Sequence, residues 1–232
     1  MNLRNILIAV LIASSLGSCV PSPNSSEDAF PQFTLLSTFY APRDTATVYV
    51  WHDSSVALLT SSTIFHRYLG ERASNFAAPY THAAHYEITD SATGSVTSTD
   101  AIVTDTVVIE SLQLNGSVNA VARLSGLLSV GTKWVACAQL TTSNASVVTV
   151  SATVDNYFSS TSVGAKSYSN VYHVTYQVTD VVGPGVPVEP EYQNGATLGV
   201  YYAKSVGPTY MVWKDASGRT LRIAQLAETR PR

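Results

Sequence analysis

Apolar and polar residues alternate in strand-like runs along most of the chain, and this pattern constrains the fold more than any other sequence feature. The clearest run is Asn170–Asp180, where one face carries Tyr172, Val174, Tyr176 and Val178. A period of two residues is that of a β-strand with one buried face. Strands of this one-sided kind are typical of antiparallel sheets, so the pattern predicts an antiparallel β-protein.

Short turn signals separate the runs between residues 33 and 226. Most pair a glycine with a preceding residue, at Thr93-Gly94, Asn115-Gly116, Val163-Gly164, Asn194-Gly195 and Ser217-Gly218. The proline-rich segment Gly183–Pro190 is predicted to be a loop, because proline donates no hydrogen bond to a sheet. Ser117–Leu128 fits either a short helix or a strand. At ordinary strand lengths the chain has room for about ten to twelve strands.

No stretch has the spacing of a long helix, and no linker interrupts the alternation. We therefore predict one all-β or mainly β domain over residues 31–232. About 200 residues are enough to bury a sizeable core in a single domain.

The first 18 residues have the layout of a secretory signal peptide. Arg4 supplies the basic start, Ile6–Ile12 is a compact apolar run, and small residues follow. The apolar run is shorter than the roughly 20 residues that a membrane-spanning helix needs. The sequence therefore predicts export of the chain, with residues 1–18 removed.

The junction Leu16-Gly17-Ser18-Cys19 resembles a bacterial lipobox, in which an aliphatic residue and two small residues precede a cysteine. The resemblance implies that the Cys19 thiol receives a lipid and that cleavage occurs before it. An ordinary signal peptide with a chance cysteine is the alternative. Residues 19–30 are rich in proline and serine, which predicts a lipidated, flexible tether. Several acyl chains would anchor the protein stably to its membrane.

Three elements in the second half follow the order seen in a broad group of bacterial lipoproteins of largely unknown function. Leu127–Trp134 is similar to a "PL-x-VG-x-x-W" element, Val163–Tyr172 to "aGtf-x-NV", and Tyr201–Tyr210 to "yyAkgVGlVk". That group is similar to the half-barrel sheets of outer-membrane lipoprotein carrier and receptor proteins. The resemblance implies one strongly curved antiparallel sheet, a half-barrel, with at most one or two short helices and often an apolar concave face.

The physical roles of these elements are predicted to be structural. Gly131 and Gly207 suit turn conformations that a Cβ would penalise. Trp134 and either Tyr201 or Tyr202 are expected to be core anchors, because large aromatic side chains contribute most to burial. The resemblance carries over no catalytic residue.

Composition excludes some partners. The chain has 13 basic and 16 acidic residues and a formal net charge of −3. This balance argues against nucleic-acid binding, which favours a basic stripe. Only the membrane, through the lipid anchor, and a lipid or other apolar ligand are expected as partners, and protein partners are left open. Val20, directly after Cys19, is not an acidic inner-membrane retention signal of the enterobacterial kind. In a bacterium that follows this rule, it favours the outer membrane over the inner.

Few residues have the types and spacing of a catalytic or metal-binding site. His82 and His85, with Glu87, form the one cluster of ligand types, but on a strand positions 82 and 85 point to opposite faces. Asp100 and Asp105 are likewise expected to be loop and surface charges. We therefore expect no metal site, no cofactor and no catalytic residues.

Cys137 lies in an apolar, strand-like run. With Cys19 lipidated no intramolecular disulfide remains, so Cys137 is expected to be a buried, inert thiol.

Three functional hypotheses remain from the sequence. The first is a non-catalytic binding module that holds a lipid or other apolar ligand on its concave face. The second is a structural or interaction protein of the cell envelope, which presents a hydroxyl-rich sheet to a protein or a polysaccharide. The third is an enzyme, which ranks last because no nucleophile, base or metal constellation is present.

Overall fold

Twelve antiparallel strands form one strongly curved sheet in the computed structural model, which describes residues 35–40, 43–56, 58–76, 79–114, 117–142, 144–163, 166–187 and 189–232. The strands are β1 Thr47–Ser55, β2 Thr60–Ala73, β3 His82–Asp90, β4 Val96–Val103, β5 Val107–Leu114, β6 Ser117–Ser125, β7 Lys133–Thr141, β8 Val147–Val163, β9 Lys166–Val182, β10 Thr197–Ala203, β11 Gly207–Lys214 and β12 Thr220–Pro231. The predicted signal peptide, Cys19 and the tether lie outside the described residues.

The sheet is an up-and-down meander that closes on itself through its first and last strands. Neighbours in sequence are neighbours in the sheet, and β1 also pairs with β12, from Thr47 with Pro231 to Ser55 with Arg222. The resulting order runs from β6 back to β1, then from β12 back to β7. Among the described strands, β6 and β7 alone are left as edges, so the sheet is nearly closed and barrel-like. This confirms the predicted mainly β, strongly curved antiparallel fold, with more closure than a half-barrel.

Side chains join the two edges at the seam between β6 and β7. The Trp134 indole nitrogen donates a 2.8 Å hydrogen bond to the carbonyl of Ala122, and the amide of Thr141 donates to the side-chain oxygen of Asn119 at 3.4 Å. Trp134 also packs edge-on against Tyr176, with ring centroids 6.4 Å apart. The expectation that Trp134 is a core anchor is therefore confirmed, and it also covers polar groups that an open edge would leave exposed.

Replacing Trp134 with phenylalanine should lower the free energy of unfolding by about 1 kcal/mol, because the ring is kept while the hydrogen bond across the seam is lost. Urea unfolding measures the change. Trp213→Phe is the matched control, since the Trp213 indole makes no hydrogen bond to a described residue. Equal losses in the two variants would show that the seam hydrogen bond contributes nothing.

A short 3-10 helix, Leu36–Phe39, covers one end of the barrel-like sheet. Its Leu36 amide donates to the carbonyl of Asp105 in the β4–β5 turn, and its Thr38 carbonyl accepts from the amide of Ser205 in the β10–β11 turn. Leu36 and Phe39 are fully buried, so this helix closes the end at which both turns lie. We call it the closed end.

Individual sequence predictions are confirmed at several points. The ambiguous segment begins with strand β6, and the proline-rich loop lies between β9 and β10 and ends near a second 3-10 helix, Pro190–Tyr192. Gly131 and Gly207 have φ of 91° and 93°, as their expected turn roles require. Within the described ranges, no helix is long and apolar enough to cross a membrane.

Candidate functional site

Two adjoining cavities, of about 290 and 190 Å³, occupy the interior of the barrel-like sheet. The same five side chains line both of them: Leu112, Arg123, Met211, Trp213 and Arg222. We therefore treat the two cavities as chambers of one interior space and call it the lumen. Its size is at the lower end of the range for small-molecule sites.

The walls of the lumen are mostly apolar because each strand turns alternate side chains inward. The larger chamber is lined by residues that include Trp51, Ile64, Ile88, Val200 and Met211. The smaller chamber is lined by residues that include Val121, Leu140, Val150, Val178 and Leu198. The sequence analysis placed Val178 on the apolar face of its strand, so this part of the concave face follows from the alternation.

An ion pair lies where the lumen meets solvent, at the end opposite the closed one. Arg222 on β12 donates from its Nε to both carboxylate oxygens of Asp53 on β1, at 2.8 and 3.0 Å, and its Nη2 also contacts this carboxylate. The guanidinium lies 4.6 Å from the ring centre of Trp213. Arg222 leaves 48% of its side chain exposed, whereas Asp53 leaves 12%. We call these three residues the mouth of the lumen.

A second ion pair lies deeper, between Arg123 on β6 and Glu110 on β5. Arg123 Nε donates to Glu110 Oε2 at 2.5 Å, and the two side chains are 21% and 19% exposed. Burial opposes the charged guanidinium, but Glu110 and the neighbouring tyrosines outweigh it and raise the pKa of Arg123. Arg123 therefore remains a cation inside the sheet.

Tyrosine hydroxyls surround this pair. Tyr176 donates to the backbone carbonyl of Arg123, and its hydroxyl lies 2.8 Å from that of Tyr202. Burial raises the pKa of Tyr202 to about 12, with Glu110 adding to the effect against the opposing influences of Arg123 and Tyr176. Tyr40, which follows the 3-10 helix at the closed end, has its pKa raised well above the usual value by burial. Burial also raises the pKa of Tyr176 well above the usual value, so all three hydroxyls remain neutral at neutral pH.

His66 on β2 also lines the larger chamber. Its ring lies 4.9 Å from that of Tyr86, and its buried Nε2 has no hydrogen-bond partner among the described residues. Burial lowers the pKa of His66, which keeps the imidazole neutral at pH 7.

The residues that the sequence singled out for chemistry lie outside the lumen. His82 is exposed at the start of β3, and His85 is directed at Asp100, with 2.9 Å between Nδ1 and Oδ1. Glu87 pairs with Arg67 instead. In the described part of the chain, no group of three or more histidine, cysteine or acidic residues has a geometry that could hold a metal ion.

Asp100 is a correction to the sequence analysis. It is 5% exposed rather than a surface charge, because it sits between His85 and Arg72, whose Nη2 donates to Oδ2 at 2.6 Å. Strand pairing brings this cluster together, since His85 lies opposite Asp100 in the β3–β4 register. Asp105 is in an exposed turn, as expected, and accepts a 2.9 Å hydrogen bond from Ser37.

The sequence analysis missed the inner charged pair, Glu110 and Arg123, although each of them falls at an inward-facing position in the alternation of its strand. Glu110 falls between Val108 and Leu112 on the apolar face of β5, and Arg123 shares the face of Val121. A charge in the apolar phase of a strand points into the core, which is uncommon unless the charge is paired.

Cys137 is a free, buried thiol that lines the smaller chamber, as expected for its burial. Burial raises its pKa, so the reactive thiolate is scarcer at any given pH than for an exposed cysteine. We expect Ellman's reagent to label Cys137 in the folded protein at least about tenfold more slowly than in the unfolded chain at pH 8. Labelling of residues 25–232, with and without urea, measures this. Equal rates would contradict the buried position.

Comparison with known proteins gives a likeness of fold. No family model and no curated protein matches the chain. A structure from Bacteroides fragilis NCTC 9343, described as "a putative exported protein with YmcC-like fold", is similar with a TM-score of 0.54 and 11% identity, over 83% of this chain and 99% of that one. A "putative lipoprotein" from Parabacteroides distasonis ATCC 8503 has a TM-score of 0.45 and 10% identity, over the same shares.

Proposed function

We propose that this chain is a lipid-anchored protein of the bacterial cell envelope that binds a lipid or another apolar ligand in its lumen, without catalysis. The observation that carries the proposal is the lumen itself: an apolar interior that the protein's own side chains leave unfilled. Protein interiors are normally close-packed, so adjoining cavities of this size inside one small sheet need a reason. A ligand site is the simplest one, since such sites are concave, mostly apolar and supplied with a few polar groups.

The location in the envelope is supported by two independent observations. The N-terminal segment reads as a signal peptide ending at a lipobox with Cys19. The fold is similar to that of the Bacteroides fragilis structure described as exported. We propose Cys19 as the lipid attachment site and the outer membrane as the destination.

The absence of catalysis is also a proposal, supported by how the lumen's charges are arranged. Both arginines form ion pairs with a carboxylate, at the mouth and at the Glu110–Arg123 pair. Such pairing occupies the carboxylates with their arginine partners, which suits binding and orientation better than proton transfer.

Native mass spectrometry of residues 25–232 tests the proposal. Phe33–Arg232 is a compact unit by itself, so the N-terminal segment can be left out, and circular dichroism serves as the check that the shortened protein is folded. We expect protein secreted into a bacterial periplasm to carry a non-covalent adduct of lipid mass that is lost on denaturation. A clean protein mass, repeated after incubation with envelope lipids, would contradict ligand binding.

A second candidate, an interaction protein of the envelope, is favoured by aromatic side chains on the outer face. Phe158 stacks on Tyr201 with ring centroids 6.2 Å apart, and Tyr201 contacts His173 and Tyr210. Partly exposed aromatic rings of this kind can stack on sugar rings or on a protein partner. If no adduct forms, binding of envelope polysaccharides to this face becomes the test to make.

A further inference from the structure

Arg123 has more hydrogen-bond donors than its protein partners use. A guanidinium carries five N–H groups, and only Nε donates to a described residue, Glu110. The two Nη groups make no hydrogen bond to any described residue, and Arg123 lines both chambers of the lumen. The Arg123 side chain keeps 21% of its surface exposed and lines the lumen, so its unused donors are available to an acceptor that enters there.

A second observation points to the same place. His66 lines the larger chamber together with Arg123, and its buried Nε2 also has no partner among the described residues. The Tyr176 hydroxyl donates to the backbone carbonyl of Arg123 and lies 2.8 Å from the Tyr202 hydroxyl. The inner part of the lumen therefore combines polar groups that have unused hydrogen-bonding capacity with fixed neutral ones, whereas the walls between it and the mouth are mostly apolar.

The two kinds of surface suit the two ends of an amphiphile. Arg123 lies toward the closed end of β6, and Trp213 and Arg222 lie at the opposite end of the lumen. Between them the walls are aliphatic or aromatic, with Ile64, Val200 and Met211 as examples. The size of the chambers fits one alkyl chain better than the several chains of a whole phospholipid.

We propose that the lumen binds a single acyl chain with its carbonyl end inward, where the carbonyl or carboxylate oxygens accept hydrogen bonds from the Nη groups of Arg123. This inference rests on the proposed function and adds the ligand class and its orientation. Hydrogen bonds from a charged donor in a low-dielectric site are stronger than neutral ones. Glu110 already balances the charge of Arg123, so both an ester and a free fatty acid have the required acceptor.

Three ligands with equal chain length test the head group by isothermal titration calorimetry on residues 25–232. We expect dodecanoate to bind roughly 10- to 100-fold more tightly than dodecylamine, because the ammonium has no oxygen to accept hydrogen bonds from the Nη groups of Arg123. Monolauroylglycerol distinguishes the sources: tight binding indicates an ester ligand, and weak binding indicates a free acid. Dodecylamine binding as tightly as both acyl ligands would overturn the inference.

Paired substitutions locate the head group. The double variant Arg123→Met with Glu110→Met removes the inner pair without leaving a lone charge, and it should lose the preference for dodecanoate while its affinity for dodecanol is kept. The matched control, Arg222→Met with Asp53→Asn, alters the mouth and should keep the preference. Loss of the preference in the control alone would place the head group at the mouth and overturn the inward orientation.

The failure of this inference can be told apart from the failure of the proposed function. If the wild-type protein binds dodecanol and dodecylamine as tightly as dodecanoate, the lumen binds alkyl chains without discriminating between their head groups, and only the inference fails. If none of the four ligands binds, the proposed function fails with it. The wild-type ranking needs no variant, so it remains decisive even if a double variant does not fold.

Discussion

Replacing Met211 with tryptophan is expected to weaken ligand binding roughly 100-fold while the fold is retained. Met211 on β11 lines both chambers, and its neighbour across the strand pair is the inward-facing Val200. An indole at this position would project into the place where the chambers adjoin. Excluding about four methylene groups of a ligand from burial forfeits roughly 3 kcal/mol, which weakens binding roughly 100-fold.

The measurement is the dissociation constant for dodecanoate, with urea unfolding to check stability. Val212→Trp is the matched control, because Val212 is the next residue on the same strand and pairs with Gly199 on the outer face. We expect the control to bind like the wild type. Undiminished affinity in Met211→Trp would mean that the ligand does not occupy the lumen.

The second large effect concerns the inner ion pair. Glu110→Met alone should lower the free energy of unfolding by about 3 kcal/mol, because it leaves the Arg123 guanidinium inside the sheet without its counter-charge. A guanidinium keeps its proton even in protein interiors, so loss of the proton gives no relief. This loss is at the low end of what removing one partner of a buried ion pair usually costs, because both side chains keep some exposure to the lumen.

The double variant of Glu110→Met and Arg123→Met should restore most of this loss, since it removes both charges and keeps similar volume. Urea unfolding of the wild type, the two single variants and the double variant gives the coupling energy. If the Glu110→Met loss and the Arg123→Met loss simply add in the double variant, the two groups are not coupled and the pair is not the organising feature of the inner lumen.

The strand pattern predicted the fold because its physical basis is local. In β9, Val174 and Tyr176 are buried and Gln177 is exposed, as the alternation requires. The closure of the sheet was not predictable in this way. Alternation states which side chains face inward, but the pairing of β1 with β12 joins segments at opposite ends of the chain and depends on strand twist and sheet size.

The candidate site was harder to predict than the fold. Charged residues in a sequence are usually assigned to the solvent-exposed surface, so Glu110 and Arg123 were given no role. The antiparallel pairing of β5 with β6 brings these two side chains together inside the sheet. The same reasoning placed Asp100 on the surface, whereas Arg72 and His85 cover it. In both cases a partner distant in sequence decides whether a charge is tolerated in a buried place.

A crystal structure of residues 25–232 bound to dodecanoic acid brominated at its terminal carbon tests the central claim most directly. The anomalous signal of bromine locates the end of the chain without reference to the protein's own density. We predict a bromine peak inside the lumen, near Trp213 at the mouth, with continuous density running inward to Arg123. Bromine found only on the outer surface, or a lumen without ligand density at saturating acid, would contradict the account.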